Sequence, residues 1–433
     1  MKAFNVLRVV MCTCALLAPS RVIAQEGKAK QLQEMQHGTS AVTPLAALIE
    51  EAGAKNPQIL AAGHAYKAAA NTPKSAGALP DTHLMVQQFA VGSPRPFAGY
   101  TNSDFAYIGI GASQDLPYPG KRKLRSEAAA READSLQARA ESSKRDVIQQ
   151  VKAVYFRLAY VEQAIQVLQH HDQIMGEMQE IAESRYRVGH GYQQEVLKTQ
   201  LQRTKLLQEI AIGRRDEGQL EAQLKQLLDR PQDSADIITE PLTERAIVYA
   251  PSQLLQLAKE QNPAVRSQEA MLRQAESQVA LAHKEFRPDF SLQYMYQNTD
   301  RKFRDYYMLT FGVNLPNRGR RRAELAEAQE KQEKASQELR AEVQRQQAEV
   351  QQQFVVVKTS SEQLKIYKEG LIPQATATFN AALAAYQANR QDFQTLLSSF
   401  LDALDLDLQY QRELVDHETA LAKLEALTGV TLP

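Results

Sequence analysis

Between Lys121 and Arg185, apolar residues recur at alternating steps of four and three: Val147, Val151, Val154, Leu158, Val161, Ile165 and Leu168. That is the a/d seam of coiled-coil packing. No proline falls between Pro119 and Pro231, and no glycine between Gly120 and Gly176, so nothing breaks the helix. At 1.5 Å per residue the stretch predicts a rod on the order of 100 Å long, a length suited to spanning a distance. Further on, Val343, Val350, Val357, Leu364 and Leu371 recur every seventh residue, with Phe354 on the complementary position. Shorter helices follow each rod, carrying Leu197, Leu201 and Thr204 in one case and Leu397, Leu401, Leu404 and Leu408 in the other. The three–four spacing predicts that these faces pack back antiparallel, making two helical hairpins.

Two other regions alternate with period two. Phe290, Leu292, Tyr294 and Tyr296 alternate with Ser291, Gln293, Met295 and Gln297, and Tyr307, Leu309, Phe311, Val313 and Leu315 alternate with Met308, Thr310, Gly312 and Asn314. Strands with lipid on one face and water on the other read this way. The polar run from Asn298 to Arg304 joins them. Phe105, Ile108 and Ile110 form a weaker version, and His83 to Val91 a weaker one still.

These elements are one unit written twice. Thr43-Pro44-Leu45 opens a helix reaching Asn56-Pro57, and Ala250-Pro251-Ser252 opens one reaching Asn262-Pro263. Each is expected to lead into a short extended region, a Leu-Pro pair (Leu116-Pro117, Leu315-Pro316), a basic cluster and a long helix. Tyr186 matches Tyr386, Val196-Leu197 matches Leu396-Leu397, and Leu227 matches Leu427, at a constant offset of 200 residues. Gly189 suits a left-handed cap at the first hairpin tip, and the repeat puts Asn389, the next-best residue for that conformation, at the second. The expected division is a signal peptide at 1–24, an extended segment at 25–42, a first repeat at 43–240 and a second at 241–433. In the first repeat the strands fall at about 82–92 and 104–116 and the hairpin at about 121–229. In the second they fall at about 288–298 and 305–315, with the hairpin at about 319–428. Two strands per unit, four per chain, cannot close a barrel, since the smallest ordinary type needs about eight. An open sheet in lipid leaves its edges unsatisfied, so the chain must oligomerise, and three copies supply twelve strands.

Composition narrows the picture. Lys2 and Arg8 precede the apolar run Val9–Ala18, and Val22-Ile23-Ala24 ends in small residues, the pattern of a cleaved secretory signal. Both cysteines, Cys12 and Cys14, lie inside it, so the mature chain is expected to carry no thiol and no disulfide. Neither cysteine follows a Leu-Ala-Gly type of lipidation context, so an unacylated N-terminus is expected. No later stretch reaches the roughly 18–20 apolar residues of a transmembrane helix. Removal of 1–24 takes away Lys2, Arg8 and Arg21, leaving 48 basic against 51 acidic residues. A nucleic-acid binder would carry a basic excess instead. Tryptophan is absent, which is unusual for a membrane barrel.

Catalytic and metal chemistry find little purchase. There is no nucleophile motif, phosphate loop or His-Glu-x-x-His, and Gly109-x-Gly111 sits in a strand with no phosphate-binding helix after it. His170-His171 is adjacent rather than three or four apart, so the rings diverge and make a poor ligand pair. Neither a cofactor nor a metal site is expected. The basic runs Lys121-Arg122-Lys123 and Arg318-Gly319-Arg320-Arg321-Arg322 each stand where a strand hands over to a helix. A position at the inner headgroup boundary of a membrane accounts for both; a solvated surface is the bland alternative.

The chain resembles the TolC-type outer-membrane efflux family from about Thr43 to Val430. The likeness is carried by Leu116-Pro117-Tyr118-Pro119-Gly120-Lys121-Arg122 and by Tyr186-Arg187-Val188-Gly189. Leu371-Ile372-Pro373-Gln374-Ala375, Ala385-Tyr386-Gln387-Ala388-Asn389 and Phe393-Gln394-Thr395-Leu396-Leu397 add to it, and this second tip looks closest to members serving heavy-metal pumps. The resemblance implies a homotrimer with a 12-stranded β-barrel in the outer membrane and an α-helical tunnel in the periplasm. It implies a passive duct for heavy-metal cations or drugs, docked on a periplasmic adaptor protein and an inner-membrane RND-type pump. In that family acidic residues nine and twelve positions after the tip tyrosine constrict the pore. Here Glu195 matches the first such position but Lys198 occupies the other, and the second tip has Thr395 and Ser398. Asp402 and Asp405, further along, offer a displaced ring or simply a solvated helix face. The resting pore is then expected to narrow at Glu195, with Lys198 one turn away to neutralise it and Arg390 and Asp392 nearby. The alternative class is a soluble periplasmic coiled-coil adaptor, which has one helical hairpin flanked by β-domains from both chain ends.

Overall fold

The computed structural model describes residues 42–92, 94–98, 103, 105–298 and 305–432. The expected signal at 1–24, all but Val42 of the 25–42 segment, and residues 299–304 of the expected strand connection lie outside the described residues.

The chain opens with helices α1 (Leu45–Lys55), α2 (Pro57–Ala69) and α3 (Thr72–Ala76), then strands β1 (His83–Phe89) and β2 (Tyr107–Leu116). Helix α4 (Lys121–Arg187) runs for 67 residues and α5 (Gln193–Leu227) returns along it. The second half repeats the plan: α6 (Pro251–Gln261), α7 (Pro263–Lys284), β3 (Asp289–Asn298), β4 (Tyr306–Asn314), and α8 (Arg318–Ile366). A π-helical turn (Tyr367–Leu371) joins α8 to α9 (Ile372–Gln387), and α10 (Phe393–Thr428) returns.

Helices, not extended segments, follow α1 and α6. In both places an Asn-Pro pair ends one helix and starts the next. Asn56 Oδ1 accepts from the backbone N–H groups of Gln58 and Ile59 at 2.9 and 3.3 Å, and Asn262 Oδ1 accepts from Ala264 at 2.8 Å. The proline stands at the first helical position, where its missing N–H costs nothing. Each asparagine also ties its unit together: Asn56 Nδ2 donates to the Leu227 carbonyl at 2.8 Å and Asn262 Nδ2 to that of Leu427 at 3.0 Å. Helix α7 completes the half of α4 nearest the sheet, which α5 is too short to cover. Ser135 and Ser267 share a hydrogen bond of 2.9 Å there, and Arg266 reaches Glu141 at 3.0 Å.

Most of the α4 seam is buried where the period places it, at Val147, Val151, Leu158, Ile165 and Leu168, while Val154 and Val161 are half-buried. On α5, however, Leu197 and Leu201 are more than half exposed and Thr204 is exposed, while Thr199, Leu206 and Ile210 face α4. The two leucines lie on the adjacent stripe of the same helix, so a three–four count alone assigned the wrong face. In the second unit Leu396, Phe400 and Leu404 are buried, and Leu401 is exposed. Leu371 also leaves its heptad. Pro373 has no N–H and its ring crowds the carbonyl four residues earlier, so the helix widens into the π turn just before it. The extra residue rotates the stripe, leaving Leu371 37% exposed while Val350, Val357 and Leu364 stay buried.

The four strands form one antiparallel sheet in the order β1-β2-β3-β4, so the two halves join through β2 and β3. In register, Val86, Ile110, Tyr296 and Tyr307 make one cross-strand row, and Leu84, Ala112, Tyr294 and Leu309 the next. That face is bare: Leu84 is 81% exposed and Leu309 70%. Two helical hairpins sharing one sheet differ from the adaptor plan of a single hairpin between β-domains.

Under the sheet, the basic run at the start of α4 is not wholly a headgroup contact. Lys121 is buried, and its ammonium donates to Asp289 at 2.9 Å, Glu285 at 3.0 Å and the Arg287 carbonyl at 3.1 Å. Arg125 and Arg321 reach the same Glu285 at 3.1 and 3.3 Å. Arg122 donates to the Gly77 carbonyl at 2.8 Å, and Lys123 is left outermost, with its side chain 80% exposed. Among the described residues no helix is long and apolar enough to cross a membrane.

Replacing Asn262 by Ala removes a cap and strands the Leu427 carbonyl in a buried site. The expected loss is about 2 kcal/mol, cap and orphaned acceptor together. Thermal unfolding followed by far-ultraviolet circular dichroism checks it; an unchanged midpoint contradicts the role given to this residue.

Candidate functional site

The tip remote from the sheet is where the two hairpins meet and where most of the candidate residues gather. Both turns close the same way. His190 N–H donates to the Arg185 carbonyl at 2.9 Å and Arg390 N–H to that of Ala385 at 2.8 Å. Gly189 and Asn389 sit in the left-handed region as expected, at φ 77° and 58°. A side chain at Gly189 would meet no neighbour, so its requirement is conformational and not steric.

The turns are equivalent, but the two tyrosines are not. Tyr186 is half exposed, whereas Tyr386 is buried among Phe379, Ala382, Phe393 and Leu396. The Tyr386 hydroxyl donates to Glu195 Oε2 at 2.7 Å, which binds the second hairpin to the first turn of α5. There the carboxylate also faces the positive end of the helix. Burial, and then the acceptor Glu195, push the Tyr386 phenol far above its ordinary pKa, so it stays a neutral donor.

Arg185 holds the other side of Tyr386. Its guanidinium lies 4.2 Å from the ring centroid, donates to the Tyr386 carbonyl, and reaches Asn389 Oδ1 at 2.6 Å and the His190 carbonyl at 3.2 Å. A cation over a shielded ring adds on the order of 1–2 kcal/mol. Sequence reasoning missed Arg185. The signal was a break in the repeat: Ala385 occupies the matching position, so only the first unit carries the arm.

The remaining candidates divide into two groups. Asp392 caps α10, its Oδ1 accepting from the Thr395 backbone at 2.7 Å and hydroxyl at 3.0 Å, and Ser398 donates to the Thr395 carbonyl at 3.0 Å. The Thr395 backbone N–H, then its hydroxyl, hold the Asp392 carboxyl below its usual range. Lys198 donates to Gln394 Oε1 at 2.8 Å while Glu195 accepts from the neutral tyrosine, so the lysine expected to neutralise Glu195 is turned to the second hairpin instead. Arg390 belongs to the turn through its backbone. Asp402 and Asp405 are exposed further along α10, and Asp405 accepts from Gln409 on the same helix. Roughly 15 Å of helix separates Asp405 from Thr395, so these two acids belong to a different level.

Nothing in this arrangement is built for bond chemistry: it is a polar clasp between hairpins. His170 and His171 sit edge to face, 83° apart, and burial pulls the His171 pKa down. Among the described residues no group of three or more His, Cys, Asp or Glu is placed to hold a metal ion.

Removing the arm by Arg185→Ala frees the Tyr386 carbonyl and the Asn389 side chain. Amide hydrogen exchange at both turns, residues 186–192 and 386–392, is expected to speed up together. Exchange that rises only in the first turn contradicts the clasp.

Sequence comparison matches residues 48–230 and 254–427 to the family described as outer membrane efflux protein. No match was found among curated protein sequences. Several solved structures share the fold. CusC superposes with a TM-score of 0.77 at 16% identity, covering 90% of this chain and 92% of that one. VceC of Vibrio cholerae, an outer membrane protein, gives 0.75 at 17% identity, covering 89% and 96%. The open state of the MtrE outer membrane channel of Neisseria gonorrhoeae gives 0.74 at 17% identity, covering 90% and 89%.

Proposed function

Since the chain belongs to the outer membrane efflux protein family, we propose that three copies close into one 12-stranded barrel in the outer membrane, continued by a helical tunnel in the periplasm. The family is one of transport channels, and the chain is not an enzyme. The observation that carries the proposal is the sheet. Among the described residues it has a bare apolar face, two edges with no partner strand, and too few strands to close alone.

Each large apolar side chain left in water forgoes about 1.5–3 kcal/mol, so the face carrying Leu84, Val86, Ile110, Leu309 and Phe311 calls for lipid. In lipid, in turn, the free N–H and C=O groups of β1 and β4 need partners from another sheet. Leu197 and Leu201, bare on the single chain, would find cover in the same assembly, against the helices of a neighbouring copy.

The duct supplies no energy and conducts what is delivered to it. In this reading a periplasmic adaptor and an RND-type inner-membrane pump engage the tip, where Val188 and Tyr192 stand exposed. The likeness of the second tip to heavy-metal members puts heavy-metal cations forward as the cargo class, with drugs as the alternative. The resting gate is the tip clasp, in which Glu195 and Tyr386 hold the hairpins of each chain together, with Arg185, Gly189 and Asn389 fixing the turns. Lys198, Arg390, Asp392, Thr395 and Ser398 shape its rim, and Asp402 and Asp405 form a second acidic level inside.

Native mass spectrometry and planar-bilayer recording of the purified chain test the reading. A trimer of low conductance is expected, and Tyr386→Phe, which removes the hydroxyl donated to Glu195, is expected to raise conductance severalfold. A stable monomer contradicts the barrel. A conducting trimer that Tyr386→Phe leaves unchanged contradicts the gate.

A further inference from the structure

On the face of the sheet opposite the bare apolar one, the cross-strand rows are mostly polar. One row holds Gln87, Gly109, Gln297 and Tyr306, and another His83, Ser113, Gln293 and Thr310. Between them lies a row of different chemistry: Met85, Gly111, Met295 and Met308 are paired in register across all four strands. The two hairpins thus contribute three thioethers to one line.

The glycines of β2 leave open space above that strand, between Met85 and Met295. A Cβ on Gly111 would lie 3.1 Å from Met295 Sδ, and one on Gly109 3.2 Å, so the Met295 side chain lies across β2, the strand that separates it from Met85. Met85 Sδ is within 3.4 Å of the Gln293 amide nitrogen. Met295 is buried by its neighbours, Met85 is half-buried, and Met308 is 37% exposed, which leaves a way in from the open side. His83 stands on the same face, two residues before Met85, and is exposed.

Packing alone does not call for this row. A face turned to water gains nothing from an apolar belt, and leucine would fill the same space. What methionine adds is a soft, uncharged sulfur lone pair that needs no deprotonation. Thioether donors select soft d10 cations such as Ag(I) and Cu(I) over Na(I), Mg(II) or Zn(II). Because the donors are neutral, the binding is weak enough to release, as conduction through a pore requires.

We propose that Met85, Met295 and Met308, with His83 at their margin, form a soft-metal way-station on the inner wall of the barrel. The site is specific for monovalent d10 cations as cargo. The position on the inner wall rests on the barrel reading above; the alignment of the three methionines in one cross-strand row does not. In a trimer the three rows supply nine sulfurs, each row running obliquely to the barrel axis because the strands tilt.

The test uses the full purified chain in detergent and silver nitrate in chloride-free buffer, followed by isothermal titration calorimetry. Silver binding is expected in the wild type, with no comparable signal from sodium or zinc nitrate. Met295→Leu, which keeps the packing, is expected to weaken it by about tenfold or more. The paired variant Met85→Leu/Met308→Leu, at the more exposed positions, is expected to do the same and covers the case in which Met295→Leu misfolds. Met271→Leu, on α7 beside Arg139, is expected to bind silver as the wild type does. Absence of silver binding in the wild type, or binding unchanged in the paired variant, overturns the site. Wild-type conductance recorded without silver reads the barrel separately: a conducting channel that ignores silver sinks only the way-station.

Discussion

A backbone N–H or C=O group cannot be left unpaired in hydrocarbon, and the rest of the molecule is arranged around that constraint. Among the described residues the chain builds four strands, satisfies the three ladders between them, and leaves one row of donors and acceptors on β1 and another on β4. With an apolar face on the same sheet, neither water nor lipid alone is a suitable solvent for a single copy. In the proposed trimer, β1 of one chain pairs with β4 of the next, which would remove every edge and give the apolar face a continuous lipid contact. The long helices would follow in that assembly, since strands arranged around an axis carry the helices beneath them around the same axis.

Duplication of one unit supplies most of this design. Asn56 and Asn262 each cap a second helix and hold the end of a return helix, at Leu227 and Leu427. The copies diverge where the two hairpins must be told apart. Near the sheet, Lys121 from the first unit is buried against Glu285 and Asp289 of the second. At the tip, Arg185 and Glu195 of the first unit grip Tyr386 of the second. Burying an ammonium is unfavourable unless carboxylates and carbonyls surround it, so such a contact favours one arrangement of the two units over others more than it adds stability. The two ends of the rods are therefore fixed by polar contacts, and the length between them by apolar seams.

Much of this is legible in the chain itself. The strands of the second unit announce themselves through aromatic alternation, and the α4 seam through its four–three spacing, because both are long and strictly periodic. The left-handed positions at Gly189 and Asn389 follow from the repeat. Three features are not legible by period. Helix α7 is hidden by its polar composition, though Asn262-Pro263 marks its start. The leucines Leu197 and Leu201 of α5 stand exposed on the single chain, and a three–four count does not tell the stripe that faces α4 from the one beside it. The clasp depends on Arg185, whose partners lie about two hundred residues away in sequence, and no local pattern reports a contact of that range.

The edge-to-edge pairing of separate copies is the claim on which the account stands, and cysteine cross-linking reads it directly. The natural cysteines are only Cys12 and Cys14, so both are replaced by serine. Gln87 in β1 is then changed to cysteine together with Tyr306, Met308 or Thr310 in β4. Oxidation in isolated outer membranes, followed by non-reducing electrophoresis, is predicted to give covalent dimers and trimers and nothing larger for at least one pair, with neither single-cysteine parent forming the trimer. Cross-links confined within one chain, or a ladder running past three copies, would contradict a barrel closed by three sheets.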